Sequence, residues 1–187
     1  MKKRLLVPVL ILLTAAVLFS PLPAARKASG RNTGYPAAAG ELGIEAPNSA
    51  ARCMAVMDAE SGRLLFSRNA DERRGMASTT KIMTALVILE NLDPDSEHEI
   101  PECAVGVEGS SVYLCAGERL TVRELLYCLL LESGNDAAAA LACICAGSTE
   151  AFAEMMNGRA AEMGLADTHF ANPHGLSDES HYTAARD

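Results

Sequence analysis

Residues 76–91 read Met76-Ala77-Ser78-Thr79-Thr80-Lys81-Ile82-Met83-Thr84-Ala85-Leu86-Val87-Ile88-Leu89-Glu90-Asn91. From Ser78 onward the stretch holds no glycine or proline, and Ile82, Met83, Ala85, Leu86, Val87, Ile88 and Leu89 place apolar side chains nearly all round a helix. Such a helix is expected to run buried through the middle of a domain, not along its surface. Ser78 and Lys81 stand at its start with S-x-x-K spacing, so they share one face a turn apart. Serine is a weak nucleophile until a base takes its proton, and a hydroxyl at a helix N-terminus also lies among unpaired N–H groups that favour a developing oxyanion. Lys81 can be that base only if its pKa falls below the usual value of about 10.4, and burial beside an apolar helix has that effect. It is the only lysine beyond residue 27. By itself the same spacing is better read as a capping serine and a solvated first-turn lysine, so the pair has to be read in context.

Ahead of this helix, the apolar run Cys53–Met57 ending at Asp58, the turn residues Ala59-Glu60-Ser61-Gly62 and the apolar run Arg63–Ser67 predict a β-hairpin, followed by a charged bend at Asp71–Arg74. Beyond it, Asp93–Ser96 breaks the chain and His98–Val105 has the composition of a strand. Thr121 with Glu124 forms a capping box ahead of Leu125, Leu126, Leu129 and Leu130. Ser133-Gly134-Asn135 interrupts that helix, with Asn135 or Asp136 suited to cap the next, an alanine-rich run to Cys145 closed by Gly147. Ser148 or Thr149 then caps a helix to Met163, with Gly164 at its C-terminal end. An early hairpin and a central block of helices define an α+β class. A two-stranded hairpin alone is marginal, so the sheet is expected to need further strands.

The first 25 residues differ from the rest. Lys2, Lys3 and Arg4 precede an apolar run from Leu5 to Phe19, and Pro21, Pro23, Ala24 and Ala25 follow. That is the layout of a secretory signal peptide, shorter than the ~20 apolar residues a membrane span needs. Pro23 makes Ala25 a poor cleavage position, which leaves retention as an N-terminal membrane anchor open. In either case an extracytoplasmic location is expected, at the cell wall or the outer face of the cytoplasmic membrane. Residues 26–50, rich in Ala, Gly, Pro, Ser and Asn, read as a flexible linker, and residues 51–187 as the domain. With 49% hydrophobic and 21% charged residues the chain has the balance of a globular protein. Residues 1–30 carry five basic side chains and no acid, so the remainder is more acidic than the overall net charge of -8. An acidic body without a basic cluster is a poor nucleic-acid partner. Cys53, Cys128, Cys143 and Cys145 lie in apolar stretches without zinc-ligand spacing, so free buried thiols are expected in place of disulfides or a metal.

Context resolves the S-x-x-K pair. The segment Met76–Thr84, the turn Ser133-Gly134-Asn135-Asp136-Ala137, the stretches Asp71-Glu72-Arg73-Arg74, Glu108-Gly109-Ser110-Ser111 and Gly117-Glu118, and Asn172-Pro173-His174-Gly175-Leu176 followed by His181-Tyr182-Thr183 together resemble penicillin-binding D-Ala-D-Ala carboxypeptidases. The resemblance runs from Ala51 to Asp187. It implies a β-lactamase/transpeptidase-like fold and a serine carboxypeptidase that removes the terminal D-alanine from peptidoglycan stem pentapeptides, without cofactor, and that is acylated by β-lactam antibiotics. On this resemblance Ser78 is the nucleophile and Lys81 its base. Ser133 relays a proton toward the leaving group, Asn135 holds the substrate amide and orients Lys81, and Gly134 and His174 border the substrate cleft.

One departure stands out. The family's third motif, Lys-Thr-Gly on a later strand, has no counterpart here, because no lysine follows Lys81. The expectation is a catalytic domain cut before that strand, at Tyr182–Asp187, where a helix should begin. Two rivals follow. A class A-like β-lactamase shares the serine and lysine but needs a deacylating carboxylate, for which the segment around Asn172 offers no E-x-x-x-N pattern, and Gly134 replaces the usual Asp. A non-catalytic, truncated cell-wall protein is the reading from another class.

Overall fold

A computed structural model describes residues 48–187; the expected leader and most of the expected linker lie outside them. The hairpin forms as β1 (Met54–Met57) and β2 (Leu64–Arg68), antiparallel, with Val56 opposite Phe66 and an irregularity at Val56/Met57. Its turn is held by Asp58, whose carboxylate accepts from the Ser61 amide and hydroxyl, and closed by Gly62 at φ 69°.

A 3-10 turn, Ala77–Thr79, leads into α1 (Thr80–Asn91). Next, β3 (Glu97–Glu99) pairs antiparallel with β4 (Arg119–Thr121). The strand expected over His98–Val105 is therefore shorter. Pro101 lacks the N–H a ladder needs, and Glu102–Ala104 turns into a 3-10 segment behind it. Three helices complete the unit: α2 (Val122–Leu131), α3 (Asn135–Ala146) and α4 (Thr149–Met163). The capping box is present in full, since the Thr121 side chain accepts from the Glu124 amide and the Glu124 carboxylate from the Thr121 amide. Thr121→Ala is expected to cost about 1 kcal/mol in urea unfolding. Ser148 caps α4 by accepting from the Ala151 amide, and Gly147 and Gly164 close α3 and α4 in the left-handed region.

The architecture is α+β, as expected, but the most buried helix differs. In α1 the outward face is open: Ile82 is 69% exposed, and Leu86 and Leu89 are only half-buried. The enclosed helix is α3, where Ala137 to Ala142 are all buried and the small side chains let α1, α2 and α4 approach it closely. Its Leu141 and the surrounding Ile88, Leu125, Leu126, Leu129, Phe152 and Met156 are fully buried in one core. Among the described residues no single helix is long and apolar enough to cross a membrane.

The cysteine expectation needs correcting. Cys143 is joined to Cys103 in a disulfide, tying the 3-10 segment to α3. The pairing brings together residues 40 apart in sequence, a juxtaposition created by packing. Cys53, Cys128 and Cys145 are free and half-buried, and Cys115 is free and exposed.

Candidate active site

Two helix starts face each other. Ser78 lies in the 3-10 turn before α1 and Lys81 in its first turn. Opposite, Ser133 and Gly134 lead into α3, whose first residue is Asn135. Ala77 and Ser133 both have left-handed backbones, φ 47° and 58°, an uncommon state for residues with a Cβ.

The side chains converge on Ser78. Its Oγ lies 3.2 Å from Lys81 Nζ and accepts from Ser133 Oγ at 3.1 Å. Ser78 itself is exposed, whereas Lys81 is 2% and Asn135 5% exposed. Lys81 Nζ donates to Asn135 Oδ1 at 2.8 Å and to the His174 carbonyl at 2.7 Å. A neutral amine has two N–H groups and one lone pair. In that neutral form, with the N–H groups on the two carbonyl acceptors, the lone pair would face Ser78 Oγ. Among the described residues Lys81 has no carboxylate partner within ion-pair distance, and burial holds its pKa below the ordinary lysine value.

Asn135 is fixed on its other side too. Its Nδ2 donates to the Glu108 carbonyl at 2.7 Å and its amide to the Ser110 carbonyl at 2.7 Å. Gly109 sits so close that a Cβ there would lie 2.7 Å from Asn135 Nδ2. The next residue, Asp136, does not cap α3; Gly134 occupies that position. Its carboxylate accepts from Ser111 Oγ and from the amides of Val112, Leu114 and Ala137. Burial opposes its ionisation, but the hydrogen bonds from Ser111, Leu114, Val112 and Ala137 prevail and hold the carboxyl below its usual pKa. Asp136 thus anchors the loop that orients Asn135, a role sequence reasoning missed. The only signal was an acidic residue opening a run of alanines.

His174 meets the site through its main chain. Its carbonyl receives Lys81, while the half-buried ring accepts the Leu176 amide on Nδ1 at 3.2 Å. Gly134 is buried in the turn and shapes the backbone between Ser133 and Asn135. The ring of His174 is pushed down to a pKa of about 4 from 6.5 by burial, Lys81 and His181, and burial also lowers His181. A histidine held neutral by folding stabilises the native state fully above its unfolded pKa, and that contribution is lost as pH falls toward the folded value. Urea unfolding is therefore expected to show stability declining from pH 6.5 toward 4, and His174→Gln should flatten that slope.

A serine and a lysine on one helix start, facing an S-x-N turn at another, match two of the three sequence motifs of the penicillin-binding fold. Solved structures agree on that fold. Penicillin binding protein 6B from Escherichia coli matches with a TM-score of 0.71 and 34% identity, over 76% of this chain and 49% of that one. Penicillin binding protein 5 from Haemophilus influenzae matches with a TM-score of 0.72 and 33% identity, over 76% and 44%. A family model described as D-alanyl-D-alanine carboxypeptidase, peptidase family S11, matches residues 33–187, and the chain belongs to this family. It is 40% identical over 142 residues to the D-alanyl-D-alanine carboxypeptidase DacF of Bacillus subtilis, covering 73% of this chain and 36% of DacF. Against DacC of Escherichia coli the identity is 40% over 160 residues, covering 80% and 40%. The chain thus spans well under half the length of these two curated relatives.

Proposed function

We propose that the protein is a serine-type D-Ala-D-Ala carboxypeptidase acting on peptidoglycan stem peptides. The reading rests on one observation: Ser78 Oγ lies between Lys81 Nζ and Ser133 Oγ, with the N–H groups of Lys81 already committed to Asn135 and His174. Lys81 takes the Ser78 proton as Oγ attacks the carbonyl of the penultimate D-alanine, forming an ester and breaking the terminal peptide bond. The proton passes from Lys81 by way of Ser133 to the departing amine of D-alanine. Asn135 positions the substrate amide, and Gly134 and His174 border the cleft. Partial positive charge at the start of α1 favours the oxyanion. Water then cleaves the ester. β-lactams, which offer a strained amide to the same hydroxyl, acylate Ser78 and remain.

The same reading makes residues 1–25 an export signal and places the protein outside the cytoplasm, with membrane attachment if the leader is retained. A fluorescent penicillin tests the chemistry. After digestion with trypsin the label is expected on the peptide Gly75–Lys81, and the protein should release D-alanine from a D-Ala-D-Ala-terminated peptide. Label on a different peptide, or no release of D-alanine, would sink the assignment.

A further inference from the structure

We propose that His181 is a positioning residue for the Ser78–Lys81 pair: it straps the turn that begins at Ala171 to the first turn of α1 and so keeps the His174 carbonyl on Lys81. The proposal rests on the reading of Ser78 and Lys81 as nucleophile and base.

His181 is 4% exposed, and the chemistry above does not use it. Both ring nitrogens are engaged. Nδ1 lies 3.0 Å from the amide of Ala171, a group that can only donate, so the neutral ring carries its proton on Nε2. Nε2–H therefore donates to Thr80 Oγ1, 2.7 Å away. Thr80 is fully buried, opens α1 and stands next to Lys81. Ala171 precedes Asn172-Pro173-His174-Gly175, the turn that presents the carbonyl. One imidazole therefore joins the start of this turn to the start of the catalytic helix.

The rest of the turn is held from the other side. Thr84 Oγ1 donates to the Pro173 carbonyl at 2.6 Å, and Gly175 rests against the Ala77 backbone. Lys81 reaches its partners on a flexible stem, so the direction of its lone pair depends on the two carbonyls that take its N–H groups. If the turn lifts, one of these acceptors leaves and the lone pair is no longer aimed at Ser78. The ring suits this task because it offers an acceptor and a donor at fixed separation. Protonation would convert Nδ1 into a donor opposed to the Ala171 amide. Burial is the main force against that charged form and His169 adds to it, whereas Asp178 favours the charge, and His174 feels the His181 charge as well.

The test compares the parent with Thr80→Val, Thr80→Ser and His181→Asn, each checked for folding by thermal unfolding. Thr80→Val removes the acceptor at nearly constant shape, and Thr80→Ser retains it. Acylation of Ser78 by fluorescent penicillin is expected to slow about 10- to 100-fold in Thr80→Val and His181→Asn, the scale of a small displacement of a catalytic group. Thr80→Ser should stay within about twofold of the parent, since the hydroxyl is retained. A folded Thr80→Val or His181→Asn protein that acylates at the parental rate overturns the proposal. Heteronuclear NMR of the unmodified protein gives a readout that needs neither variant folding nor activity. A His181 ring protonated at Nε2 and slow to exchange supports the strap, and one protonated at Nδ1 overturns it. Failure of the parent to acylate Ser78 would instead reject the functional reading, with the tautomer still deciding the strap.

Discussion

Lys81→Met is expected to slow acylation by penicillin about 10³-fold while leaving the fold intact, the scale of a lost general base. Methionine keeps the unbranched stem and is apolar, which suits a position only 2% exposed. What disappears is the amine 3.2 Å from Ser78 Oγ. Two opposing effects act on stability. Removing a buried amine that lacks a carboxylate partner relieves a desolvation cost, whereas Asn135 Oδ1 and the His174 carbonyl lose their donor. Each buried acceptor left unpaired costs about 1–3 kcal/mol, which the relieved desolvation offsets in part. Stopped-flow acylation together with urea unfolding measures both. A variant that acylates within about tenfold of the parent would place the base elsewhere, because a general base contributes more than that.

Gly175→Ala carries the largest expected effect on stability. Gly175 has φ 93°, outside the region an alanine adopts without strain, and a Cβ there would collide with the carbonyl oxygen of Ala77 and lie 3.0 Å from Thr80 Oγ1. The obstacle is backbone, so no side-chain rotation relieves it. Strain and overpacking together set a loss of at least about 3 kcal/mol. Gly62→Ala is the control: its φ is 69° and nothing lies within 4 Å of the added carbon, so about 1 kcal/mol is expected. Equal urea midpoints for the two variants would show that the turn does not press on the residue before Ser78. Any Gly175→Ala protein that does fold should also acylate slowly, since the His174 carbonyl rides on the same turn.

The parts of this site that were legible in the sequence are those whose chemistry resides in side chains at fixed local spacing. Helical spacing put Ser78 and Lys81 on one face and a polar break set Ser133 and Asn135 between two helices, but only the resemblance to penicillin-binding carboxypeptidases singled these four out as a site. The hairpin and the capping box are local as well, set by Asp58, Gly62, Thr121 and Glu124. Contributions made by the main chain carry no such signature. The Glu108 and His174 carbonyls could belong to any residue type, and only the folded chain shows that they meet Asn135 and Lys81. Which apolar helix is most enclosed was likewise hidden. The hydrophobicity of Ile82 and Leu89 suggested α1, but enclosure depends on neighbours, and the small side chains of Ala137–Ala142 allow α3 more of them. Thr80 and His181, 101 residues apart, are joined by tertiary packing alone.

The bridge between Cys103 and Cys143 makes a covalent ring of the segment they enclose. That ring contains the loop at Glu108–Leu114, all of α2 and the Ser133–Asn135 turn. A protease that nicks the exposed backbone near Tyr113 would cut one peptide bond without dividing the molecule in two. On a denaturing gel the nicked chain would run as a single species until a thiol reagent separated its halves.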